Sequence, residues 1–237
     1  MKIIKKLFNF IFELIKYKIN LFKYSKNSYS KSFNWDWESI NYNRIALVNL
    51  AIQSKTFPKY LEIGCGADNS LFDSIYLSQK IGVDPYLGGN FKGTSNEFFS
   101  QNKFNFDIIF IDGLHTFNQI RLDIINSLNC INDDGLILLH DMLPRNWVEQ
   151  HVPNISRNFW TGDVWKVAFE LIKTSGIDFR IVKIDFGVGI IKVLNKNVAL
   201  VDLSRSLSGK QFQYFYENID SLPIINWEEA YCWIQNR

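Results

Sequence analysis

Four short apolar runs, each closed by a glycine or a polar residue and separated by helix-length stretches, constrain this chain more than any other feature. Tyr60–Ile63 runs into Gly64, residues 80–83 into Asp84, Phe106–Ile111 into Asp112-Gly113, and residues 135–139 into His140-Asp141. Near-continuous apolar runs of this length are what a parallel sheet demands when helices cover both of its faces. The clearest intervening helix begins near Thr116. Thr116 and Gln119 have the spacing of a capping box, and Phe117, Ile120, Ile124, Ile125 and Leu128 form one apolar stripe. Further on, residues 179–184 and 188–194 flank Asp185-Phe186-Gly187 and predict a hairpin. Residues 55–195 thus predict a Rossmann-like, doubly wound α/β sheet, mainly parallel and finished by an antiparallel pair. Residues 43–54 predict a helix leading into it, and 24–34, rich in Ser, Asn and Lys, read as a linker.

A length of 237 residues suits one such domain with extensions, and 47% hydrophobic content is ample for a core. The net charge of +2 hides a segregation. Residues 1–26 hold seven lysines and one glutamate, net +6, so the remainder carries −4. A body of that sign lacks the clustered cations that phosphate backbones require, which excludes general nucleic-acid binding. Cys65, Cys130 and Cys232 are widely spaced, with no zinc or redox motif, and their odd number fits a reducing cytoplasm.

The basic start reads MKIIKKLFNFIFELIKYKINLFKYSK. Lys2, Lys5, Lys6, Asn9, Glu13, Lys16, Asn20 and Lys23 recur at helical spacing, opposite an apolar face that only Lys18 interrupts. The apolar run before Glu13 is too short to span a bilayer, which takes about 20 residues, and no small-residue cleavage site follows. Two readings stand: a helix docked on the domain or on a sister subunit, and an interfacial helix lying peripherally on the inner face of an anionic membrane.

In an open α/β sheet, ligands bind beyond the carboxyl ends of the strands, where the closing residues of all four runs fall. Glu62 to Gly66 reads EIGCG, a strand entering a glycine turn that lets backbone approach a ligand. Asp84, eighteen residues beyond Gly66, is placed to accept hydrogen bonds from two ribose hydroxyls. A dinucleotide fingerprint requires a third glycine where this chain has Asn69, which speaks against an NAD-dependent oxidoreductase.

Taken together, the segments YLEIGCG, IGVDP, FDIIFIDGLHT and DDGLILLHDMLP resemble the class I S-adenosylmethionine-dependent methyltransferases. Within them the chain is most similar to the small-molecule methyltransferases grouped as family 24, and less so to the catechol and macrolide sugar O-methyltransferases. The resemblance covers about residues 58–194. It implies that Glu62, Gly64, Cys65 and Gly66 line the methionine moiety of S-adenosylmethionine, with Asp112 nearby, and that Asp84 holds the ribose. Gly93 to Glu97 would lie by the adenine, Ser95 in contact with it.

Asp112 and Asp141 end neighbouring strands, and metal-dependent relatives place magnesium-binding carboxylates there, so a divalent cation is one expectation. Against that pattern, Met142 stands where the catechol enzymes have Asn, and His140 suits iron, manganese or zinc better than magnesium. The other expectation is a metal-free site with Asp112, His115 or His140 as base, His115 being favoured over His140. The stretch IDGLHT lacks the Asn/Asp-Pro-Pro-Tyr loop of enzymes that methylate nucleobase amines, which leaves a hydroxyl of a sugar or other metabolite as the expected acceptor.

Two segments remain. WTGDVWK at 160–166 reads either as a helix start capped by Asp163 with Trp165 in the core, or as a wall of the acceptor pocket. The aromatic-rich helical tail over 212–233 reads as a packing element, a homodimer contact or a lid. A non-catalytic scaffold keeping the cofactor pocket is the alternative from outside the enzymes.

Overall fold

The computed structural model describes residues 2–67, 70–195 and 197–235, without the side chains of residues 2–4, 7 and 9. Asp68 and Asn69, on which the argument against NAD leans, lie outside the described residues. The expected sheet is present. Its strands are β1 (Tyr60–Ile63), β2 (Lys80–Asp84), β3 (Phe91–Lys92), β4 (Phe106–Ile111), β5 (Ile131–Leu139), β6 (Ile177–Val182), β7 (Val188–Val193) and β8 (Ile224–Ile225). They lie in the order β3-β2-β1-β4-β5-β7-β6-β8, with β7 antiparallel to both neighbours and every other pairing parallel.

The apolar runs are continuous because both sheet faces are covered. Leu61, Ile63, Ile109, Ile111, Ile137 and Leu139 point to one face, where Ile120 and Ile124 of α5 (Phe117–Cys130) meet them. Tyr60, Ile108, Phe110, Leu136 and Leu138 point to the other, against Leu47, Val48 and Ala51 of α2 (Arg44–Gln53). Alternate residues of a strand face opposite ways, so a strand clothed on both sides has no polar positions to spare. Asn43 caps α2 by accepting from the Ile45 and Ala46 amides.

Two local expectations are corrected. Thr116 precedes α5 but its side chain makes no cap. Asp163 supplies it instead, its Oδ1 accepting from the Phe117 amide at 2.6 Å, and Gln119 turns away to Ser95, Asn96 and Asp123. Asp163 therefore caps α5 and not the helix that follows it, α6 (Lys166–Leu171), whose N-cap position is Trp165 without a side-chain bond. Trp165 is fully buried, as the core reading required. The capping box the chain does form is Thr94 with Glu97, at the start of α4 (Ser95–Gln101).

The segment read as a linker is packed. Phe33 stacks on Trp35 at 4.5 Å and on Tyr216 at 4.6 Å, and meets Phe212 and Phe215 edge-on. Its amide donates to the Arg145 carbonyl at 2.8 Å, while the Trp35 indole N–H donates to the Pro144 carbonyl. Residues 28–37 thus strap the tail to the loop that follows β5. The tail itself is a packing element. Phe212 and Phe215 of α8 (Phe212–Glu217) are fully buried, β8 extends the sheet along β6, and α9 (Trp227–Gln235) lies beside α2 with Trp227 stacked on Tyr42 at 4.0 Å. Aromatic pairs add about 0.5–1.5 kcal/mol beyond their buried area, so this strap is a substantial fraction of a domain's net stability. Phe212→Ala is accordingly expected to cost about 3–5 kcal/mol, read from the urea midpoint, because it opens a cavity beneath Phe33 and Tyr29. A loss under 1 kcal/mol would show that the strap closes over the gap.

Candidate active site

The carboxyl ends of β1, β2, β4 and β5 share one rim, and a fifth element reaches it by running the other way. Gly189, near the start of β7, pairs with Leu139 at the end of β5, so the β6–β7 turn carries Asp185 and Phe186 to the same edge. A cavity of about 730 Å³ opens there. That is within the usual range for a small-molecule site.

One side of the cavity is the glycine turn. Gly64 has φ +85°, and a Cβ there would run into the Asp112 carbonyl, so only glycine lets the turn lie against the end of β4. Glu62 faces the cavity from a buried position, and its Oε2 accepts from the Tyr60 hydroxyl at 2.6 Å. Burial pushes the Glu62 carboxyl up to about 7, against the pull of hydrogen bonds from Tyr60 and Cys65. Asp84 accepts from the Gly66 amide through Oδ2 at 3.0 Å, and from the Tyr86 and Leu87 amides through Oδ1 at 2.8 and 3.0 Å. Burial alone would raise its carboxyl, but these backbone donors hold it below the usual range. Thr94, Ser95 and Asn96 line the far wall, with the Ser95 hydroxyl accepting from Gln119 at 3.1 Å.

Across the cavity, charged side chains converge. His115 Nε2 lies 3.4 Å from Asp112 Oδ1, and its Nδ1 lies 2.9 Å from both Asp141 Oδ2 and the Trp160 carbonyl oxygen. A carbonyl oxygen only accepts, so Nδ1 carries a proton and Nε2 is the nitrogen left for other work. The imidazole stacks on the Trp160 ring at 5.2 Å. His140 Nδ1 sits 3.3 Å from one oxygen of Asp112 and one of Asp141, and its Nε2 sits 3.6 Å from Asp185 Oδ1. Those separations are ion-pair distances, yet neither buried nitrogen of His140 makes a hydrogen bond. Arg44 closes the ring. Its Nη1 bonds Asp185 Oδ2 at 3.0 Å, its backbone amide bonds the same oxygen at 3.1 Å, and its Nε lies 4.0 Å from Asp112.

Three carboxylates against one guanidinium leave this pocket two positive charges short. Burial would lower both imidazoles, but the facing carboxylates overcome it, raising His115 to about 10 and His140 well above its ordinary value. The carboxylates respond in the opposite direction. Despite burial, the imidazoles hold Asp112 and Asp141 below the usual range, and His140 with Arg44 brings Asp185 to about 2. Asp141 at φ 64° and Asp185 at φ 42° both hold left-handed backbone, which Asp tolerates better than most residues.

Glu62, Gly64, Cys65, Gly66, Asp84, Ser95, Asp112, His115, His140 and Asp141 all line this cavity; of the stretch Gly93 to Glu97, Thr94, Ser95 and Asn96 line it and Gly93 and Glu97 do not. Asp112, His115 and Asp141 bring one ligand atom each within 4.8 Å of one another, adding an imidazole to the two carboxylates expected. Arg44, Asp185 and Trp160 were not expected to meet the cluster. Arg44 falls inside the helix expected over 43–54, and Asp185 in the expected hairpin turn. Only the antiparallel direction of β7, readable once its hairpin is placed beside β5, could have pointed to Asp185. Trp160 and Thr161 do line the cavity, in keeping with the pocket-wall reading of that segment. Nothing beyond Phe186 lines it among the described residues, so the tail is no lid in this arrangement.

Residues 81–142 match the family model Methyltransf_24, described as a methyltransferase domain. The resemblance read from the sequence is borne out. The matched stretch runs from β2 through the site loop after β5 and contains Asp84, Ser95, Asp112, His115, His140 and Asp141. No curated protein matches the chain. Solved structures similar to it include a Podospora anserina methyltransferase bound to S-adenosylhomocysteine, at 17% identity and TM-score 0.48, covering 75% of this chain and 95% of that one. A putative caffeoyl-CoA O-methyltransferase from Staphylococcus aureus is 19% identical at TM-score 0.44, covering 66% and 86%. An O-methyltransferase from Streptomyces achromogenes involved in tomaymycin synthesis is 13% identical at TM-score 0.47, covering 64% and 79%.

The glycine turn gives the sharpest structural test. Gly64→Ala combines a steric conflict with a disfavoured φ, and is expected to lower stability by at least about 2 kcal/mol in thermal or urea unfolding. An unchanged midpoint would mean that the turn and the end of β4 are not held as close as described.

Proposed function

We propose that this protein transfers a methyl group from S-adenosylmethionine to a hydroxyl of a small molecule. One observation carries the reading: a single cavity holds, on one wall, the glycine turn with Glu62 and Asp84, and on the other a buried acid–imidazole cluster. The first wall suits an adenosyl amino acid, with Glu62 facing its ammonium and Asp84 its ribose. The match to a methyltransferase domain over residues 81–142 supports the same cofactor.

The donor set also fits a divalent cation. Asp112 and Asp141 offer oxygens, the two positive charges missing from the cluster equal one divalent ion, and both His140 nitrogens are buried without a hydrogen bond. Carboxylates with imidazole nearby suit manganese, iron or zinc more than magnesium. When bound, such an ion would supply the positive charge that protonated imidazoles otherwise provide, and would lower the pKa of a hydroxyl beside it. His115 is the more exposed imidazole, 25% against 7% for His140, and so is the one an acceptor can touch. Its Nε2 takes the acceptor proton while Nδ1–H stays on the Trp160 carbonyl, fixing the ring. The acceptor oxygen then forms a bond to the methyl carbon as the carbon–sulfur bond breaks, and the bonding pair returns to sulfur as a neutral thioether. The cavity walls hold the two reactants in line, which supplies most of the acceleration, with the base contributing about 10²–10⁴-fold.

A specific observation favours a second role for His115: it belongs to the group of ligand atoms within 4.8 Å. His115→Ala separates the two roles. As base, its loss removes turnover and leaves manganese binding by calorimetry intact; as ligand, its loss weakens both. If Asp141→Asn and chelation both leave turnover unchanged, the cation has no part in the reaction.

Glu62 gives a pH signature for the cofactor. Its carboxyl is raised to about 7, so below that pH a cationic ammonium must expel a proton in order to bind. Affinity for S-adenosylmethionine is therefore expected to climb up to about tenfold per unit as pH rises toward 7 and to level off above it. Glu62→Gln should flatten the profile. The absence of calorimetric heat with S-adenosylmethionine and with S-adenosylhomocysteine, at every pH, would sink the proposed activity.

A further inference from the structure

The helix α1 (Lys2–Lys23) is amphipathic in a divided way. One part of its apolar surface is used by the protein. Leu14, Tyr17 and Leu21 are half-buried, and the Arg157 guanidinium lies 5.2 Å from the Phe10 ring and 5.9 Å from that of Tyr17. Just past its end, His151 fixes the chain. Its ring packs on Tyr24 at 4.5 Å and its Nε2 accepts from Asn27 Nδ2 at 3.1 Å, while Nδ1 donates to the Pro153 carbonyl. The other part of the apolar surface is bare. Phe8, Ile11, Phe12, Ile15, Ile19 and Phe22 are all exposed, Phe22 by 84%, and at 100° per residue they fall on one stripe.

Lysines border that stripe. Lys5, Lys16 and Lys23 follow one edge, while Lys18 projects at the other, beside Ile11 and Phe22. Among the described residues none of Lys5, Lys6, Lys16, Lys18 and Lys23 pairs with a carboxylate. No described helix is long and apolar enough to cross a membrane.

We propose that the stripe of Phe8, Ile11, Phe12, Ile15, Ile19 and Phe22 lies in the surface of an anionic lipid membrane, with the bordering lysines reaching its headgroups. Charge decides between the candidate occupants. A second copy seated on this stripe would bring Lys18 into its seam, and would set the Lys5, Lys16 and Lys23 edge against another edge of the same sign. An anionic surface receives each of those charges favourably and accepts the rings and isoleucines between them. The segregation also orients the protein, because residues 1–26 carry +6 and the rest −4, so only this helix is drawn to such a surface. Its body-facing side adjoins the catalytic rim. Tyr17 lines one end of a groove of about 540 Å³ whose other wall includes Asn158 and Phe159, which also line the main cavity. Docking the helix therefore holds the cavity within reach of the membrane surface. The inference stands on the helix alone, and methyl transfer is not needed for it.

The test is co-sedimentation of the full chain with vesicles of phosphatidylcholine, alone and mixed with phosphatidylserine. Binding is expected to the mixed vesicles, weakened by added salt, and far less to phosphatidylcholine alone. Lys16→Glu with Lys23→Glu should weaken it by more than about fivefold for each charge reversed, since one lysine near such a surface contributes about that factor. Ile15→Asp with Ile19→Asp should abolish it, while leaving the thermal midpoint and S-adenosylmethionine binding of the protein unchanged. Failure to bind mixed vesicles overturns the proposal. So does equal binding by wild type and the aspartate variant. A dimer in sedimentation equilibrium that the aspartate variant dissolves, without any lipid binding, assigns the stripe to a second copy instead.

Discussion

The rim of this sheet concentrates negative charge in a place where water cannot dilute it. Asp112, Asp141 and Asp185 converge on His140, with the Arg44 guanidinium as the only permanent cation beside them among the described residues. In a partly buried pocket the repulsion of such a group is several-fold stronger than in water, so the site exists only in company with further positive charge. Two imidazoles that hold their protons can supply it, and so can one divalent ion. Each choice has a chemical consequence. With protons on both rings, neither imidazole can accept another, and a histidine base is disabled at neutral pH. With the charge supplied otherwise, His115 recovers an empty Nε2 beside the cavity, its other nitrogen still pinned to the Trp160 carbonyl. The proposal of a cation rests on that electrostatic shortfall, not on the identity of any one ligand.

The fold makes this concentration of charge through topology. Parallel strands deliver the closing residues of β1, β2, β4 and β5 to a common edge, and the helices between them pack on the two faces of the sheet. The antiparallel β7 contributes in reverse, by its beginning, and so adds Asp185 without a crossover of its own. Backbone groups then determine which acids stay ionised. Asp84 is held by backbone amides of its own neighbourhood, whereas Glu62 has a phenol and a thiol for company and is pushed to about 7. Two carboxylates lining one cavity are thereby held in different states, one kept ionised by backbone donors and one raised to about 7 by burial.

Much of this was legible in the sequence because it depends on periodicity. Strands β1, β2, β4 and β5, the β6–β7 hairpin and α2 follow from runs whose polar neighbours mark where burial ends, and the residues closing those runs line the cavity, while the two-residue strands β3 and β8 leave no such run. Position along the chain carried no information about partners that meet only through packing. Asp163 caps α5 from 46 residues away, and no spacing rule finds a cap of that kind when Thr116 stands at the proper place. Arg44 reaches the cluster because α2 begins at the rim, and the Ser/Asn/Lys-rich stretch after α1 is ordered by rings in the tail, Phe33 on Tyr216 above all. Polar composition predicts a loop, but it does not predict whether a few aromatic residues within it will find a groove.

The amino-terminal helix shows the same limit from the other side. Its period announced an amphipathic helix, and two readings, docking on protein and lying on lipid, competed for one apolar face. The structure shows that the face is wide enough to divide. Leu14, Tyr17 and Leu21 meet the body, while Phe8, Ile15 and Phe22 face outward, so burial on one side leaves the other free. A helix held in this way has already lost its orientational freedom relative to the catalytic domain before any surface is met. Membrane binding would then fix the cavity's height and direction at no further conformational cost to the helix, which is the condition under which a peripheral enzyme gains access to acceptors confined to a surface.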